Sequence, residues 1–350
     1  MRRYLVAGLL LAQVAAGAAV TTVASADPAA SVPAPTATAV ARRVLITGDS
    51  ITQGSAGDYT WRYRLWQKLQ RTAPATTFVG VREDVYDLVH GRAGSHAYAT
   101  GFPGDAHAAV WGDTYSREVD RIAGEVAQTR PDVLVVMLGG NDLTYQATPA
   151  QTVARAAAYI ARARTARPGL DVVVGQATDR YDLWRHQPLI QGPAREYARG
   201  LDALAAQLDT PSQRVVVART LQGWDAAHDT WDGTHPNPTG ESLIAQRVSE
   251  ALARLGVGTM APDVSGSRAW SVPGPLPGVS AGSGAAMLTW DRARTGASGM
   301  YVEERLLQTH EAWHRLPYAM PGNGGTVGLL VPGGLYQLRL VPVKGSSTGA

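Results

Sequence analysis

Short apolar runs alternate with longer segments of helical periodicity from residue 43 to about residue 256. The apolar runs predict buried strands at residues 44–48, 76–80, 132–138, 171–174 and 214–217. Amphipathic helices are predicted around the stripe Trp61, Leu65 and Leu69, around Tyr115, Val119 and Ile122, and over residues 150–166 and 194–208. Strands that alternate with helices predict a five-stranded parallel sheet that helices cover on both faces.

A last helix is predicted to begin at Asn237, which can cap it, and at Pro238, whose missing N–H costs nothing in a first turn. Ile244, Val248 and Leu252 would form its buried face. We therefore predict one α/β domain over residues 42–257. In parallel sheets of this kind, ligands bind at the carboxyl ends of the strands.

The pattern changes after about Val257. Residues 258–284 are rich in Gly, Pro and Ser and predict a linker and the start of a second domain. Short alternating strands without helices are predicted at residues 286–290, 300–305, 313–318, 326–331 and 335–343. They predict a small β-sandwich over residues 285–350. A further edge strand would be expected after the last of these strands, so the module is expected to be incomplete or to come from a longer parent chain.

The N-terminus has the pattern of a targeting segment. Arg2 and Arg3 precede an apolar stretch over residues 4–23, and residues 24–26 fit a small-x-small cleavage site. We predict a signal peptide over residues 1–26 and an Ala/Pro/Thr-rich spacer over residues 27–41. A membrane anchor is the alternative, but small and polar residues dilute the stretch. The mature protein is expected to be secreted, by the general or the twin-arginine route, without stable membrane insertion.

The amino-acid composition excludes several kinds of functional site and partner. The 350 residues have no Cys, which excludes disulfide scaffolds, thiolate metal sites and a Cys nucleophile. The net charge is only +3, and the arginines are scattered without a basic block, so nucleic acid is not an expected partner. Lysine occurs only at Lys68 and Lys344.

Polar residues follow the predicted strands at the points where chemistry is expected. The first strand runs into Gly48 and Ser50, and a serine hydroxyl becomes a nucleophile only when a base takes its proton. His235 is the candidate base, and Asp232 stands three residues before it, where it can orient the imidazole and stabilise the imidazolium. Asn141 follows the third strand, and its amide can donate to developing negative charge.

These residues carry a resemblance to a known family. Residues 48–52, 139–142 and 232–236 resemble, in order, three conserved blocks of the SGNH (GDSL) hydrolases. Residues 107–114 resemble the His-(x)4-Gly stretch of secreted acetyl-xylan-esterase-like members, to which residues 77–80 are also similar. The resemblance spans about residues 43–256 and implies a flavodoxin-like three-layer α/β/α sandwich.

The resemblance also implies the roles of individual residues. Ser50 would be the nucleophile, His235 the base and Asp232 the residue that orients it. The Ser50 N–H, the Gly112 N–H and the Asn141 side chain would form the oxyanion hole. The stretch before Gly112 departs from the usual His-Glu-Gly form, so other glycines stay open as alternatives: Gly91, Gly94, Gly101 and Gly104.

The predicted function is that of an exported serine esterase that needs no cofactor or metal. Short acyl groups on polysaccharide, chiefly acetyl, are the expected substrate. Trp111 and Trp231 adjoin Gly112 and Asp232 and are candidate substrate contacts. The alternatives are a lipase-like esterase acting on acyl lipids and a glycan-binding protein that has lost catalysis.

Three further motifs in the sequence offer alternatives to these assignments. Asp225 and His228 repeat the Asp-x-x-His spacing and form an alternative pair. Residues 278–282 match Gly-x-Ser-x-Gly, but their Gly/Pro/Ser-rich flanks predict a loop instead of a nucleophile elbow. Residues 310–314 match His-Glu-x-x-His, but they fall between predicted strands, and zinc binding by this motif needs a helix.

The C-terminal region resembles a fibronectin type III module at residues 288–290, 301–303 and 335–339. The resemblance implies a module that binds, spaces or orients. No reactive constellation is visible in its sequence.

Overall fold

The computed structural model describes residues 41–145, 147–260 and 269–350. The predicted signal peptide and the spacer up to residue 40 lie outside the described residues, as do residues 261–268 of the predicted linker.

The α/β part contains short strands and longer helices in alternation. Its strands are β1 (Arg43–Gly48), β2 (Thr77–Val79), β3 (Val85–Asp87), β4 (Arg92–Ser95), β5 (Val133–Met137), β6 (Asp171–Gly175), β7 (Tyr181–Asp182), β8 (Gln187–Pro188) and β9 (Val215–Ala218). Its helices are α1 (Ser50–Gln53), α2 (Trp61–Thr72), α3 (Tyr115–Thr129), α4 (Gly140–Thr144), α5 (Pro149–Ala166), α6 (Gln191–Leu208), α7 (Ala226–Asp229) and α8 (Pro238–Arg254).

The central sheet has five parallel strands in the order β2-β1-β5-β6-β9. These are the five strands that the apolar runs predict, so this part of the prediction is confirmed. The order reverses beside β1, and crevices at such switch points bind ligands in open α/β sheets. The residues after β1 and β5 therefore face the same edge.

The two faces of the sheet are buried under different helices. Along β5, Leu134 and Val136 pack into the core with α3, α5 and α6, whereas Val133 and Val135 pack with α2 and α8. This alternation follows from the two-residue period of a strand. It gives the three-layer α/β/α sandwich. Among the residues that the structure describes, every helix is too short or too polar to cross a bilayer.

The C-terminal region contains two antiparallel sheets. Its strands are β10 (Gly278–Gly282), β11 (Ala285–Thr289), β12 (Gly299–Leu306), β13 (His314–Arg315), β14 (Gly324–Val327), β15 (Tyr336–Lys344) and β16 (Ser347–Thr348). The sheets have the orders β10-β11-β14 and β13-β12-β15-β16, and they share a core that includes Leu288, Met300 and Leu340. A strand-rich region was predicted here.

Some details of this region differ from the prediction. Residues 278–282 were predicted as a loop, which is wrong, because they form β10 at the edge of a sheet. β11 pairs with the backbone hydrogen-bonding groups on one side of β10. All residues of β10 are exposed, so its sequence has no hydrophobic pattern that would predict a strand. The strand predicted at residues 313–318 is shortened to β13, and the strand predicted at residues 326–331 overlaps β14 only at Thr326 and Val327, because β14 begins at Gly324.

Candidate active site

Ser50 lies at the carboxyl edge of the central sheet, at the start of α1. The turn before it is tight: a Cβ at Gly48 would lie 2.7 Å from the Met137 carbonyl oxygen, so glycine is required. The Asp49 carboxylate caps α1 by accepting the Ile51 N–H at 3.0 Å. Only 4% of Ser50 is exposed. The serine is therefore held in a preformed, nearly water-excluded position.

His235 and Asp232 reach Ser50 from a loop that precedes α8. The Ser50 Oγ–His235 Nε2 distance is 2.9 Å, and the His235 Nδ1–Asp232 Oδ2 distance is 2.7 Å. Because an ionised carboxylate can only accept, Nδ1 carries the proton and Nε2 offers a lone pair to the serine hydroxyl. The three predicted residues thus form one hydrogen-bonded chain across 185 positions of sequence.

Asp232 is built to stay ionised. Its second oxygen accepts the backbone N–H groups of Thr234 and His235 at 3.0 and 2.7 Å. Burial raises the pKa of the Asp232 carboxyl, but the hydrogen bonds and the His235 ring outweigh it, and the net pKa lies below its usual value. A carboxylate in this state can stabilise a positive charge on the imidazole.

Asn141 lies on α4, directly after Gly139 and Gly140 in the segment that follows β5. Its Nδ2 donates to the Asp113 carbonyl oxygen at 2.8 Å, and its Oδ1 accepts from Arg180 Nη2 at 2.8 Å. A guanidinium can only donate, so the amide orientation is fixed. No residue that the structure describes engages the second N–H of the amide. This N–H is free for a ligand.

Gly112 lies on a segment that runs beside the end of β1. Ala108 and Val110 donate N–H groups to the carbonyl oxygens of Ile46 and Gly48, at 2.9 and 3.0 Å, which carries the segment along the same edge as Ser50. Gly112 has φ +78°, a conformation that favours glycine.

His107 anchors this segment. It is fully buried, its Nε2–H donates to the Asp84 carbonyl oxygen at 2.8 Å, and its Nδ1 accepts the Ala109 N–H at 3.0 Å. Burial lowers the pKa of His107 well below its usual value, so the ring is neutral. We assign it a structural role in holding the Gly112 loop.

Two of the alternative glycines are engaged elsewhere. The Gly94 N–H donates to Asp84 Oδ2 at 2.6 Å, and Gly104 packs against the Trp66 ring, where a Cβ would lie 2.3 Å from Cδ1. Gly91 lies in the turn between β3 and β4, and Gly101 is exposed in a loop. Gly112 stays the predicted oxyanion glycine.

Both tryptophans that were predicted as substrate contacts pack on the imidazole. The ring centroids of Trp111 and His235 are 4.5 Å apart, and those of Trp231 and His235 are 5.6 Å apart, with nearly parallel planes. Trp111 also stacks with Tyr86 at 4.5 Å. The Trp111 N–H donates to Gln53 Oε1 at 2.8 Å. For both tryptophans, contact with substrate stays a prediction. The structure adds that both rings pack against the imidazole of His235.

The lookalike motifs lie apart from this cluster. Asp225 and His228 pair at 2.9 Å on α7, with 60% and 81% of their side chains exposed. Ser280 lies on β10, which is followed by a turn and another strand instead of a helix. His310 lies in a turn with φ +55° and His314 on β13, so the two imidazoles do not share a helix face. Within the described ranges no cluster of metal-ligating side chains occurs.

Arg180 is the site residue that sequence reasoning missed. It is buried, binds Asn141, and lies beside Gly140, where a Cβ would be 3.2 Å from its Nη2. Burial raises the pKa of Asp49 to about 6, with the Arg180 guanidinium as the main opposing influence. The available signal was its position after β6, at the same edge of the sheet as Ser50 and Asn141.

The raised pKa of Asp49 predicts a pH-dependent gain in stability for Asp49→Asn. Because the native state holds the Asp49 proton more tightly than the unfolded chain, ionisation destabilises the native state by about 3 kcal/mol at about pH 8. The cost falls as the pH drops below about 6 and is about 1 kcal/mol near pH 4.5. Denaturant unfolding should therefore show Asn as the more stable variant, by a margin that shrinks by about 2 kcal/mol between about pH 8 and about pH 4.5.

The matched control for this measurement is Asp120→Asn, which changes an exposed carboxylate on α3. It should give the same difference from wild type at both pH values. A margin for Asp49→Asn that does not change with pH would contradict the buried-carboxylate interpretation.

The fold and the match to known proteins define a class. The chain has the SGNH hydrolase fold, as in a crystal structure of an acetyl esterase mutant with acetate ion (TM-score 0.51, 23% identity, 61% of this chain and 97% of that chain). Residues 46–243 match the model of the GDSL-like lipase/acylhydrolase family, and the chain belongs to this family. Its membership supports a carboxylic ester hydrolase. No curated protein matches.

Two further solved structures are similar. A carbohydrate esterase family 3 protein from Talaromyces cellulolyticus has a TM-score of 0.51 at 23% identity, covering 61% of this chain and 97% of that chain. A family 3 carbohydrate esterase from Clostridium thermocellum has a TM-score of 0.49 at 21% identity, covering 62% of this chain and 99% of that chain. These matches leave the C-terminal sheets unassigned.

Proposed function

We propose that this protein is a secreted serine esterase that works through an acyl-enzyme on Ser50. The observation that carries the proposal is the hydrogen-bonded chain from Ser50 Oγ through His235 to Asp232, with distances of 2.9 and 2.7 Å. A surface ion pair or a helix cap has no reason to join these three groups at the carboxyl edge of a parallel sheet.

The proposed reaction begins when Ser50 Oγ attacks the ester carbonyl carbon and His235 Nε2 takes the hydroxyl proton. Asp232 stabilises the imidazolium that forms. The carbonyl oxygen becomes an oxyanion, which accepts from the Ser50 N–H, the Gly112 N–H and the second N–H of Asn141.

The imidazolium of His235 then gives its proton to the leaving alcohol oxygen as the C–O bond breaks. A water molecule repeats the attack on the acyl-enzyme, with His235 again taking the proton. The carboxylic acid leaves and Ser50 Oγ recovers its hydrogen. Every step uses groups of this chain together with the ester and water.

We propose short acyl groups on polysaccharide, chiefly acetyl, as the substrate. The resemblance of residues 77–80 and 107–114 to acetyl-xylan-esterase-like proteins supports this substrate, and the similar solved structures include an acetyl esterase and a carbohydrate esterase family 3 protein. The N-terminal pattern of residues 1–26 supports export, and a secreted esterase can meet insoluble glycans.

A hairpin beside the catalytic loop offers a surface that suits a sugar ring. The Tyr181 N–H donates to the Gly233 carbonyl oxygen at 2.7 Å, which fixes the β7–β8 hairpin next to Asp232. At its tip, Asp182 Oδ1 accepts the N–H groups of Trp184 and Arg185, both at 2.9 Å. Trp184 is 92% exposed, and we propose that its indole packs on a sugar ring of the substrate.

A substrate panel tests this proposal. We expect acetate release from acetylated xylan, and turnover of p-nitrophenyl acetate that exceeds turnover of p-nitrophenyl palmitate by about 10²-fold or more, since each added methylene must find apolar surface. Trp184→Ala should keep p-nitrophenyl acetate turnover within about twofold and lose about two- to tenfold in kcat/KM on xylan.

The other outcomes identify the alternatives. Faster turnover of the long chain would favour an esterase that acts on acyl lipids. Retention on xylan without any ester turnover would favour a glycan-binding protein. An equal loss of kcat/KM on p-nitrophenyl acetate and on xylan in Trp184→Ala would show that the β7–β8 hairpin does not contact the glycan.

A further inference from the structure

A buried cation joins the C-terminal sheets to the α/β part. Lys344, at the end of β15, is 2% exposed, and its Nζ donates to Ser55 Oγ at 2.6 Å and to the Ala56 carbonyl oxygen at 3.3 Å. It also forms an ion pair with Asp58. Lysine is rarely buried this completely unless it is paired. The buried contacts of Lys344 are therefore part of how the C-terminal sheets pack on the α/β part.

The two regions also meet backbone to backbone. A Cβ at Gly296 would lie 1.7 Å from the Ala56 carbonyl oxygen, and a Cβ at Gly345 would lie 2.3 Å from the Trp231 carbonyl oxygen. The Trp270 indole N–H donates to the Gly57 carbonyl oxygen at 2.7 Å. Such close approach is possible only where glycine removes the side chain.

Lys344 is connected to the imidazole through one ring. Its Nζ lies 5.0 Å from the centroid of the Trp231 ring, within the range of a cation–π contact. The Trp231 ring stacks with the imidazole of His235, which also stacks with Trp111. A row of contacts thus runs from the C-terminal strand β15 to the group that hydrogen-bonds Ser50.

We propose that Lys344 is a positioning residue for His235: the C-terminal region holds the Trp231 ring, and the ring holds the imidazole in line with Ser50. The inference rests on the proposed function only in taking His235 as the base. It makes the C-terminal region part of the hydrolytic unit, in addition to any role in binding or spacing.

Replacing Lys344 by Met removes a buried positive charge from beside the Trp231 ring and leaves Asp58 without that partner. The ring then loses its contact with the C-terminal region, and the imidazole loses the support that keeps it in line with Ser50.

The test compares full-length Lys344→Met with wild type on p-nitrophenyl acetate. We expect kcat to fall about tenfold with KM within about twofold, because alignment of the base is lost and the acyl site is intact. Lys344→Arg, which keeps the cation, should recover most of kcat.

The Asp58→Asn/Lys344→Met double variant removes both charges and guards against misfolding caused by an unpaired carboxylate. Its kcat should stay low, because the cation over Trp231 is still missing. Unchanged kcat in both variants would overturn the proposal, even if the melting temperature fell. A wild-type chain without turnover would instead count against the proposed function.

Discussion

Ser50→Ala is expected to lose about 10⁴- to 10⁶-fold in kcat on p-nitrophenyl acetate while it folds like the wild type. The change removes one oxygen, so no acyl-enzyme can form, and only the oxyanion donors and binding contacts stay to assist water. His235 keeps its hydrogen bond to Asp232 at 2.7 Å, so the loop should not move. Initial rates together with circular dichroism and thermal melting check both halves of this expectation.

Ser280→Ala is the matched control for this loss. Ser280 is the serine of the Gly-x-Ser-x-Gly match, and it lies on an exposed edge strand. Its replacement should leave kcat within about twofold, as for a surface change remote from the site. Loss of turnover in Ser280→Ala, with activity kept in Ser50→Ala, would identify Ser280 as the nucleophile instead of Ser50.

Asp232→Asn is expected to lower kcat by about 10³- to 10⁴-fold. The neutral amide cannot stabilise the imidazolium, and its NH2 group can donate to Nδ1, which would force the His235 proton onto Nε2, where Ser50 needs a lone pair. Because the pKa of Asp232 lies below its usual value, the wild-type carboxylate is ionised across the neutral range. A pH profile of kcat/KM for the variant should therefore show a large loss throughout that range.

Asp225→Asn supplies the comparison, since Asp225 and His228 share the spacing but form an exposed pair. Its kcat should stay within about twofold of wild type. If Asp225→Asn lost kcat and Asp232→Asn kept the kcat of wild type, Asp225 and His228 would be the catalytic pair.

The central sheet was predictable because parallel strands buried on both faces have continuous apolar sequences. β5 and β6 are examples, each with a run of Val and other apolar residues. β10 was missed because an exposed edge strand made of Gly, Val, Ser and Ala has neither a run nor an alternation. Its pairing with β11 is a tertiary property.

The candidate site was predictable as far as it lies next to strand ends. Ser50 lies two residues after the end of β1 and Asn141 four residues after the end of β5. Asp232 and His235 have a spacing that local geometry explains. Arg180 and Lys344 act through partners far away in sequence, 39 positions from Asn141 and 286 from Asp58, and no local pattern encodes such contacts. The rarity of lysine in the chain was the one clue to Lys344.

Labelling with a fluorophosphonate, followed by peptide mass spectrometry, tests most directly whether Ser50 is the activated serine. The hydroxyl oxygen attacks phosphorus, fluoride leaves, and the base takes the proton, so only a serine paired with a base reacts quickly. We expect the label on the peptide that contains Ser50 and on no other serine, with labelling abolished in His235→Ala. Label on Ser280, or ester hydrolysis that continues in a protein without label on Ser50, would contradict the proposed mechanism.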